Sequence, residues 1–496
     1  MHKILFLFGL LFLSTPALTA IDCENGLMSE DMPTLAGGRV KPYYVLARET
    51  FKFLEGKPKD SLTRFCKLSL GKDESQVPVS ILIEHVDTKK LLGLSQSEKS
   101  IPAQELVLKK ELMRAEAMKL KENNSYKKDL NKTFNRLITY EKLIQGEAFH
   151  VYGMIDGNMD WHIFKNYLTL ESEDLTEAIQ NSKQMYIQQN NDTYLLELTY
   201  FKSHIFDIAM LVALLGIFVI VLSKNLTWGI IFASATIVIE LIGLTMRVII
   251  SGRAPITNMY ETVLFSGFGA LLIALIILFF RKEKTFLLAG LGYNILCLFM
   301  MKFANNMLSS SISPLVPVLR DNFWLSTHVT TIILSYAALA LSWLVANITL
   351  IKLRLGKLSK AEYRYNEGLT YTCIKIGVVL LAAGIILGGV WADYSWGRFW
   401  GWDPKETWSL IVLLFYMALL HGKYTSWINT HRFVMATAAG FMTVMMAWFG
   451  VNYILASGLH SYGFSEGGAV FLGSFFLIQT FIIIVCGVKF RYSNEA

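Results

Sequence analysis

The sequence predicts an α-helical polytopic membrane protein with about nine transmembrane helices, preceded by a mostly helical N-terminal extracytoplasmic domain. Composition is the first reason: of the 496 residues, 53% are hydrophobic and only 17% are charged, a balance unlike that of average soluble domains. Patterning is the second: polar residues dominate 21–203, whereas long apolar runs dominate 204–490. The modest net charge of +7 lies largely in short loops between these runs. It therefore indicates membrane topology, and no nucleic-acid partner is expected.

Residues 1–20 have the pattern of a secretory signal peptide. Lys3 precedes an apolar run, and small residues follow up to Ala20. The run is too short to cross a bilayer comfortably, and Cys23 follows isoleucine and aspartate rather than the small residues of a lipoprotein site. An uncleaved anchor is the alternative. With cleavage, the residues that follow lie outside the membrane.

Two helices are predicted in the extracytoplasmic domain, 21–203. A Gly-Gly turn at 37–38 leads into a helix at about 43–55. Apolar residues at helical spacing predict a long amphipathic helix over 104–145. The histidines of this domain are isolated from one another, so no catalytic constellation is predicted there.

Five cysteines are present, and their spacing excludes two functions. No CxxC occurs in the sequence, so this chain has neither a dithiol redox motif nor a c-type haem attachment site. Cys23 and Cys66 both fall in the exported domain, where they either pair or remain buried thiols. Cys297, Cys373 and Cys486 lie in apolar runs and are expected to be small core residues.

Nine apolar runs follow, and several approach the roughly 20 residues that a helix needs to cross a bilayer. They lie at about 205–223, 228–250, 262–280, 285–301, 328–351, 371–391, 408–422, 433–456 and 469–488. The loops predicted to lie inside are rich in lysine and arginine, whereas the opposite loops are sparser. This agrees with the positive-inside bias and predicts an outer N-terminus and an inner C-terminus.

The outer loop 391–408, WADYSWGRFWGWDPKETW, contains five of the eleven tryptophans. One interpretation is an interfacial aromatic belt; the other is a pocket wall for a large flat ligand. The glycines between the rings permit close approach, but the pattern alone leaves both interpretations open. The candidate pocket residues are Trp391, Trp396, Trp400, Gly401 and Trp402.

The four residues 403–406, DPKE, also have a simpler role. Asp403 is expected to cap a helix, since Pro404 suits the first helical position and Glu406 completes a capping box. Asp403 is therefore a helix starter first and a candidate ligand contact second.

Two histidines lie on the same predicted face as this loop: His328 begins one span and His460 ends another. Each alone is expected to be an interfacial histidine bonded to the backbone. Together, two neutral imidazoles beside an aromatic floor form an axial pair suited to haem iron. Arg398 and Lys405 would then pair with the haem propionates, the alternative being that they snorkel towards the headgroups.

His421 belongs near the other face. It lies 17 residues after Pro404, a distance of roughly 26 Å along a helix. It therefore cannot share one haem with His328 and His460. An ionisable residue that ends an apolar run is a candidate ligand for a second, inner haem; the alternative is a histidine favoured by the dipole at a helix C-terminus.

Several stretches resemble the tryptophan-rich "WWD" family of haem-handling proteins in cytochrome c biogenesis, most closely the CcsA/ResC component of System II. They cover most of 250–465 and read WGRFWGWDPKETW (396–408), APITNMYETVLF (254–265), PLVPVLRDNFWLSTHVTTIILSYA (314–337) and GVNYILASGLHSYG (450–463). The exported stretch LAGGRVKPYYVLARETFKFLEGK (35–57) resembles a segment that precedes the CcsA portion in fused CcsBA-type proteins.

The resemblance implies a subunit of a cytochrome c haem lyase (holocytochrome c synthase) in a bacterial-type inner membrane. Residues 204–490 would carry haem b to the outer face and present it to the CxxCH of apocytochrome c. The resemblance assigns His328 and His460 to the outer haem and His421 to the inner one.

In this family the second inner ligand belongs to a CcsB/ResB part, and this chain has no obvious ResB half. His204 lies at the wrong face to replace that ligand. A separate CcsB/ResB-type membrane partner is therefore implied. Two other functions remain open: a haem transporter or chaperone that hands haem on without attaching it, and a transporter of another cargo whose tryptophans form only a belt.

Overall fold

The computed structural model describes residues 23, 27–71, 77–120, 125–155, 157–223, 225–281, 284–304, 307–312, 322–455 and 468–487. The signal peptide predicted at 1–20 lies outside these residues. The chain divides into two compact units, an N-terminal unit, Met1–Leu198, and a membrane unit, Thr199–Ala496.

The N-terminal unit contains six short strands: β1 (Pro33–Ala36), β2 (Arg39–Pro42), β3 (Ser80–Leu82), β4 (Ser100–Pro102), β5 (His150–Ile155) and β6 (Asn158–Ile163). Four of them form an antiparallel sheet in the order β2-β1-β5-β6, and β3 pairs with β4. The sequence did not predict these strands. Each has only three to six residues, too few for a clear alternation of apolar and polar side chains.

The helices of this unit are α1 (Tyr43–Glu55), α2 (Ser61–Ser69), α3 (Val86–Leu91), α4 (Ala103–Leu108), α5 (Lys110–Lys119), α6 (Ser125–Ile144), α7 (Phe164–Tyr167) and α8 (Ser172–Gln189). The predicted turn at 37–38 and the helix α1 are confirmed. The single helix predicted over 104–145 is wrong, because α4, α5 and α6 share that stretch. Its apolar residues do not keep to one buried stripe: Leu106 and Met113 are fully buried, whereas Leu108 is 86% exposed.

Cys23 and Cys66 form a disulfide, which decides between the two alternatives for this pair. Cys66 lies in α2 and is buried beside Phe65. The Phe65 ring packs edge-on against Tyr43 of α1, with centroids 5.5 Å apart. The disulfide thus ties the start of the unit to its aromatic core.

All the regular secondary structure that the structure describes in the membrane unit is helical. Its helices are α9 (Leu195–Ser203), which crosses the boundary between the units, α10 (Ile205–Ser223), α11 (Leu226–Ser251), α12 (Met259–Arg281), α13 (Lys284–Phe303), α14 (Asn322–Arg354), α15 (Lys360–Trp396), α16 (Pro404–Tyr424), α17 (Thr430–Met445), a π-helix (Met446–Leu455) and α18 (Gly468–Gly487). Among the described residues, nine helical segments are long and apolar enough to cross a membrane. The predicted multi-pass architecture and the count of nine are confirmed.

Two of the spans are much longer than the apolar runs predicted for them at 328–351 and 371–391. Helix α14 has 33 residues and α15 has 37, so each exceeds the roughly 30 Å hydrocarbon core. A capping box between Ser359 and Glu362 starts α15, and Gly397 ends it in the left-handed conformation. Local backbone signals, rather than the edges of the apolar run, therefore set the length of α15.

Consecutive spans run in opposite directions, so their connections alternate between two ends of the membrane unit. The connections 252–258 and 397–403 lie at one end, which we call the tryptophan face. The connections 355–359 and 425–429 lie at the other end, which we call the opposite face.

Candidate ligand-binding site

A cavity of about 160 Å³ lies at the tryptophan face of the membrane unit. One water molecule needs only about 10–15 Å³, so this cavity accommodates an organic group much larger than water. Its walls come from the connection 252–258 and the start of α12, from α14 and α15, from the connection 397–403, from the start of α16 and from the π-helix. Most lining side chains are apolar or aromatic, and they include Ile256, Met259, Ile332, Tyr336, Ile385, Trp391, Phe399, Trp400 and Trp448.

His328 lines this cavity from the first turns of α14. Its ring lies nearly parallel to the indole of Trp391, with centroids 6.2 Å apart and planes 16° apart. Its Nδ1 donates a hydrogen bond to the carbonyl oxygen of Gly384, 2.8 Å away. That bond places the lone pair of the neutral imidazole on Nε2, which is the arrangement seen in metal-ligating histidines.

Glycines of α15 make room for these rings. A β-carbon at Gly388 would lie 2.5 Å from Cε1 of His328, and one at Gly389 would lie 2.4 Å from Cζ of Phe399. Real β-carbons do not approach other atoms so closely. Both rings can therefore occupy their positions only because Gly388 and Gly389 have no side chain.

A capping box fixes the connection between α15 and α16. Oδ1 of Asp403 accepts hydrogen bonds from the backbone N–H groups of Lys405 and Glu406, both at 2.9 Å. The Glu406 carboxylate in turn accepts from the N–H groups of Gly401 at 2.7 Å and Asp403 at 3.2 Å. The predicted capping role of Asp403 is confirmed.

Arg398 is held within the same connection. Its Nη1 lies 3.4 Å from Oε1 of Glu406, and its guanidinium lies 5.9 Å from the ring centroid of Trp396. A β-carbon at Gly401 would overlap this guanidinium, at 1.2 Å from Nη1. Arg398 and Gly401 thus shape the connection and are not among the residues that line the cavity.

The tryptophans divide into two groups. Trp391 and Trp400 line the cavity, whereas Trp396 packs against Trp391 from outside it, with centroids 4.8 Å apart. Trp402 is 70% exposed and meets Trp400 edge-on at 5.8 Å. Part of the segment is therefore pocket wall and part is exposed at the surface.

The indole of Trp400 contributes a buried polar atom to the cavity wall. Its Nε1 has no hydrogen-bond partner among the residues that the structure describes. A buried donor of this kind is costly to leave unsatisfied. It therefore fits a site whose occupant supplies an acceptor.

Sequence reasoning missed one wall of the cavity, the wall built by the π-helix. Trp448 donates from Nε1 to Oγ1 of Thr262, 3.1 Å away, and Lys405 donates from Nζ to Oδ1 of Asn452, 3.3 Å away. π-Helical segments are rare and cluster at functional sites. The sequence signal for this wall is the stretch 450–463, which contains Asn452 as well as His460.

Two of the three predicted iron ligands lie among the described residues, at opposite faces as predicted. His328 lines the cavity, whereas His421 lies in the last turn of α16 at the opposite face, exposed and 6.5 Å from the Trp427 ring centroid. His460 lies outside the described residues. Within the described part of the chain, no group of three or more His, Cys, Asp or Glu side chains is placed to hold a metal ion.

Comparison with known proteins finds a match to the cytochrome C assembly protein family over residues 256–460, a range that contains every residue lining the cavity. The chain is 35% identical over 243 residues to the cytochrome c biogenesis protein CcsA of Guillardia theta, covering 44% of this chain and 79% of that protein. It is 32% identical over 309 residues to CcsA of Prochlorococcus marinus (strain MIT 9301), covering 54% of this chain and 98% of that protein. It is also 36% identical over 249 residues to protein NrfI of Wolinella succinogenes, covering 48% of this chain and 26% of that protein.

Proposed function

This chain belongs to the CcsA family of cytochrome c biogenesis proteins, and on that premise we propose that it carries haem b to the tryptophan face and presents it there for covalent attachment to apocytochrome c. It would act as the haem-presenting subunit of a cytochrome c haem lyase. The alternative is a chaperone that delivers haem without attaching it.

The setting of His328 carries this proposal. Its Nδ1–H is held by the carbonyl of Gly384, so Nε2 has the lone pair that haem iron binds. The ring stands beside Trp391 in a cavity walled by flat aromatic side chains, which suit the face of a porphyrin. Trp400 adds a buried donor to the same wall. His460 is the proposed second axial ligand.

Thioether formation requires mainly that the haem vinyl groups and the substrate thiols are correctly oriented. Each cysteine S–H of the CxxCH adds across a haem vinyl group, so that one C–S and one C–H bond replace the S–H bond and the vinyl π bond. No electron or proton is left over, and no strong acid or base is required. The contribution of this chain would be to hold haem against α14 and α15 while the substrate thiols approach, which is catalysis by positioning.

Haem would enter at the opposite face, near His421, and move to the tryptophan face. We assign the tryptophan face to the outer side of a bacterial-type inner membrane, since lysine and arginine are concentrated at the span ends and connections of the opposite face, at Lys352, Arg354, Lys357, Lys360, Arg364, Lys423 and Arg432. His421 would be one ligand of the inner haem. A CcsB/ResB-type partner would supply the other.

A haem absorption spectrum of the purified chain tests the proposal. We expect His328→Ala to lose most of the haem that is bound at the tryptophan face. The matched control is His204→Ala, because His204 also lies at this end of a span, with its side chain 63% exposed, and is not among the residues that line the cavity. An unchanged spectrum in His328→Ala would favour a different cargo, with the tryptophans acting only as a belt.

Reconstitution separates the lyase from the chaperone. The chain is combined with its CcsB/ResB-type partner, haem and a reduced apocytochrome c, and the haem that stays with the cytochrome polypeptide on a denaturing gel is measured. Covalent product that depends on His328 supports the lyase. Haem-loaded chain without covalent product would support the chaperone.

A further inference from the structure

Glu240 lies in the middle of the span α11, far from both faces of the membrane unit. It is 14 residues from the start of this helix and 11 from its end, which correspond to roughly 21 and 16 Å along the axis. The residue is fully buried. Because an ionised carboxylate is costly at such a position unless it is paired, the charge of Glu240 depends on its neighbours.

Asn294 of α13 is the hydrogen-bond partner of Glu240. Its Nδ2 donates to Oε1 of Glu240 at 2.8 Å, and Asn294 is also fully buried. One oxygen of each side chain is left over: Oε2 of Glu240 and Oδ1 of Asn294 are buried and have no hydrogen-bond partner among the described residues. The pair therefore contains two unsatisfied acceptors and lacks one donor.

Helix α12 packs closely against α13 beside this pair. A β-carbon at Gly267 would lie 2.9 Å from Cβ of Cys297 and 3.5 Å from Cα of Asn294. Tyr293, next to Asn294, is bonded to Ser266 of α12, with the two hydroxyl oxygens 3.0 Å apart. These two hydroxyl groups are thus engaged with each other, and neither supplies the donor that the pair lacks.

No cation among the described residues is bonded to Glu240. Arg247, the other charged residue of α11, lies seven residues further on and is bonded to Glu261 of α12 at 2.6 Å. Asp207 of α10 is paired with Lys302 at the far end of α13, at 3.0 Å. The remaining ionisable residues of the helices packed against α11 are Tyr260, Arg281, Lys284, Tyr293 and Cys297. An ionised Glu240 would therefore be a buried charge with a single hydrogen bond.

A single proton satisfies both of the remaining oxygens. Placed on Oε2 of Glu240, it makes the carboxyl group a donor, and the acceptor Oδ1 belongs to the same amide that already donates to Oε1. Acid and amide then form two hydrogen bonds that close a ring. A metal cation fits less well, since cations such as Ca²⁺ require about six or more oxygen ligands and only these two oxygens are left over.

We propose that Glu240 is an intramembrane proton-binding site, which carries a proton at neutral pH and joins α11 to α13 through a two-bond acid–amide pair with Asn294. Neither helix contributes a residue to the cavity lining, so this inference goes beyond the proposed function and does not depend on haem. Loss of the proton would leave a buried charge between the two helices and weaken their contact.

Infrared difference spectroscopy of the purified full-length chain tests the protonation state. The carbonyl stretch of a protonated carboxyl group is resolved from the carboxylate bands and shifts to lower frequency in D₂O. We expect this band in the wild type at neutral pH and its loss in Glu240→Gln, whose amide can replace the acid in both hydrogen bonds and should keep the melting temperature. The control is Glu367→Gln: Glu367 is bonded to Lys423 at the opposite face, so its substitution should change only the carboxylate bands.

Asn294→Leu tests the pairing. Without the amide, the carbonyl of the acid loses its donor, so its stretch should move to higher frequency and the melting temperature should fall. Combining this change with Glu240→Leu should raise the melting temperature again, because no buried polar group is then left without a partner. A wild-type spectrum without the acid band, or a band that persists in Glu240→Gln, would overturn the inference. So would a band whose frequency stays the same in Asn294→Leu.

Discussion

Gly388 lies so close to His328 that a β-carbon on this glycine would stand 2.5 Å from Cε1 of the imidazole. One turn earlier on α15, the carbonyl of Gly384 accepts the Nδ1–H of the same ring at 2.8 Å. One glycine thus leaves the ring its space, and the other fixes its tautomer. The histidine belongs to α14, but the position of its ring and its tautomer depend on the backbone of α15.

We predict that Gly388→Ala displaces the imidazole of His328 and removes most of the bound haem. Helix stability should not fall, because alanine favours a helix interior over glycine by about 1 kcal/mol. Haem per chain is read from the absorption spectrum, and the melting temperature confirms folding. The control is Gly368→Ala on the same helix, where an added β-carbon meets no atom within 4 Å. Normal haem content in Gly388→Ala would contradict the proposed role of His328.

Asp403 offers a test that separates a helix cap from a ligand contact. Only its Oδ1 accepts the two backbone bonds of the cap, and asparagine caps as well as aspartate does. Asp403→Asn should therefore keep both stability and haem binding, whereas Asp403→Ala should lose about 1 kcal/mol of stability and loosen the position of Trp400. Thermal melting and the haem spectrum are the measurements. If Asp403→Asn keeps its stability but loses haem, the charge of Asp403 instead contacts the ligand.

The sequence was informative wherever a signal is local. Apolar run length predicts nine spans, and the DPKE pattern predicts the cap at Asp403. The importance of Gly384 and Gly388 could not be predicted, because it arises only when α14 packs against α15. The π-helix that places Trp448 and Asn452 at the cavity has no spacing rule that distinguishes it from an α-helix.

The tryptophans of 391–408 could not be divided into pocket and surface residues from the sequence for a similar reason. Trp391 and Trp402 have the same chemistry and lie in the same segment, yet one is 1% exposed and the other 70% exposed. The difference comes from tertiary position: Trp391 lies on α15 beside His328, whereas Trp402 follows the turn that Glu406 holds. No single-sequence pattern carries that information.

The disulfide between Cys23 and Cys66 should contribute strongly to the stability of the N-terminal unit. Its sequence separation is 43 residues, for which chain entropy gives about 4 kcal/mol. We predict that Cys66→Ser lowers the melting temperature of the chain and that reductant has the same effect on the wild type. Reductant should have no further effect on the variant. If the wild type melts identically with and without reductant, the disulfide is not a stabilising element.

The membrane orientation can be tested with single cysteines at exposed positions of the two faces. Ser309 is exposed at the tryptophan face, and Lys357 is exposed at the opposite face. In a background that lacks Cys486, we expect a membrane-impermeant maleimide to label Ser309→Cys in intact spheroplasts and Lys357→Cys only after lysis. Cys297 and Cys373 are buried and should stay unlabelled. The reverse pattern would place the cavity on the cytoplasmic side and contradict the proposed haem lyase.

At the opposite face, His421 has no second histidine of this chain to pair with among the described residues. His431 is the other histidine there, and both of its ring nitrogens are engaged: Nδ1 accepts from the hydroxyl of Tyr363 at 2.9 Å, and Nε2 donates to the carbonyl of Gly487 at 2.6 Å. His328 lies at the tryptophan face, roughly 26 Å away by the length of α16. An inner haem held by two histidines therefore needs a ligand from outside this part of the chain.

We predict that the chain purified with a CcsB/ResB-type partner contains more haem than the chain alone, and that His421→Ala removes only this additional haem. Haem added in detergent to the tryptophan face should still bind to His421→Ala, because the cavity around His328 is unchanged. His431→Gln is the control for the opposite face, since glutamine retains a donor and an acceptor near Gly487 and Tyr363. If His421→Ala leaves the haem content of the pair unchanged, His421 is a helix-terminal histidine favoured by the dipole of α16, and haem reaches the tryptophan face by another route.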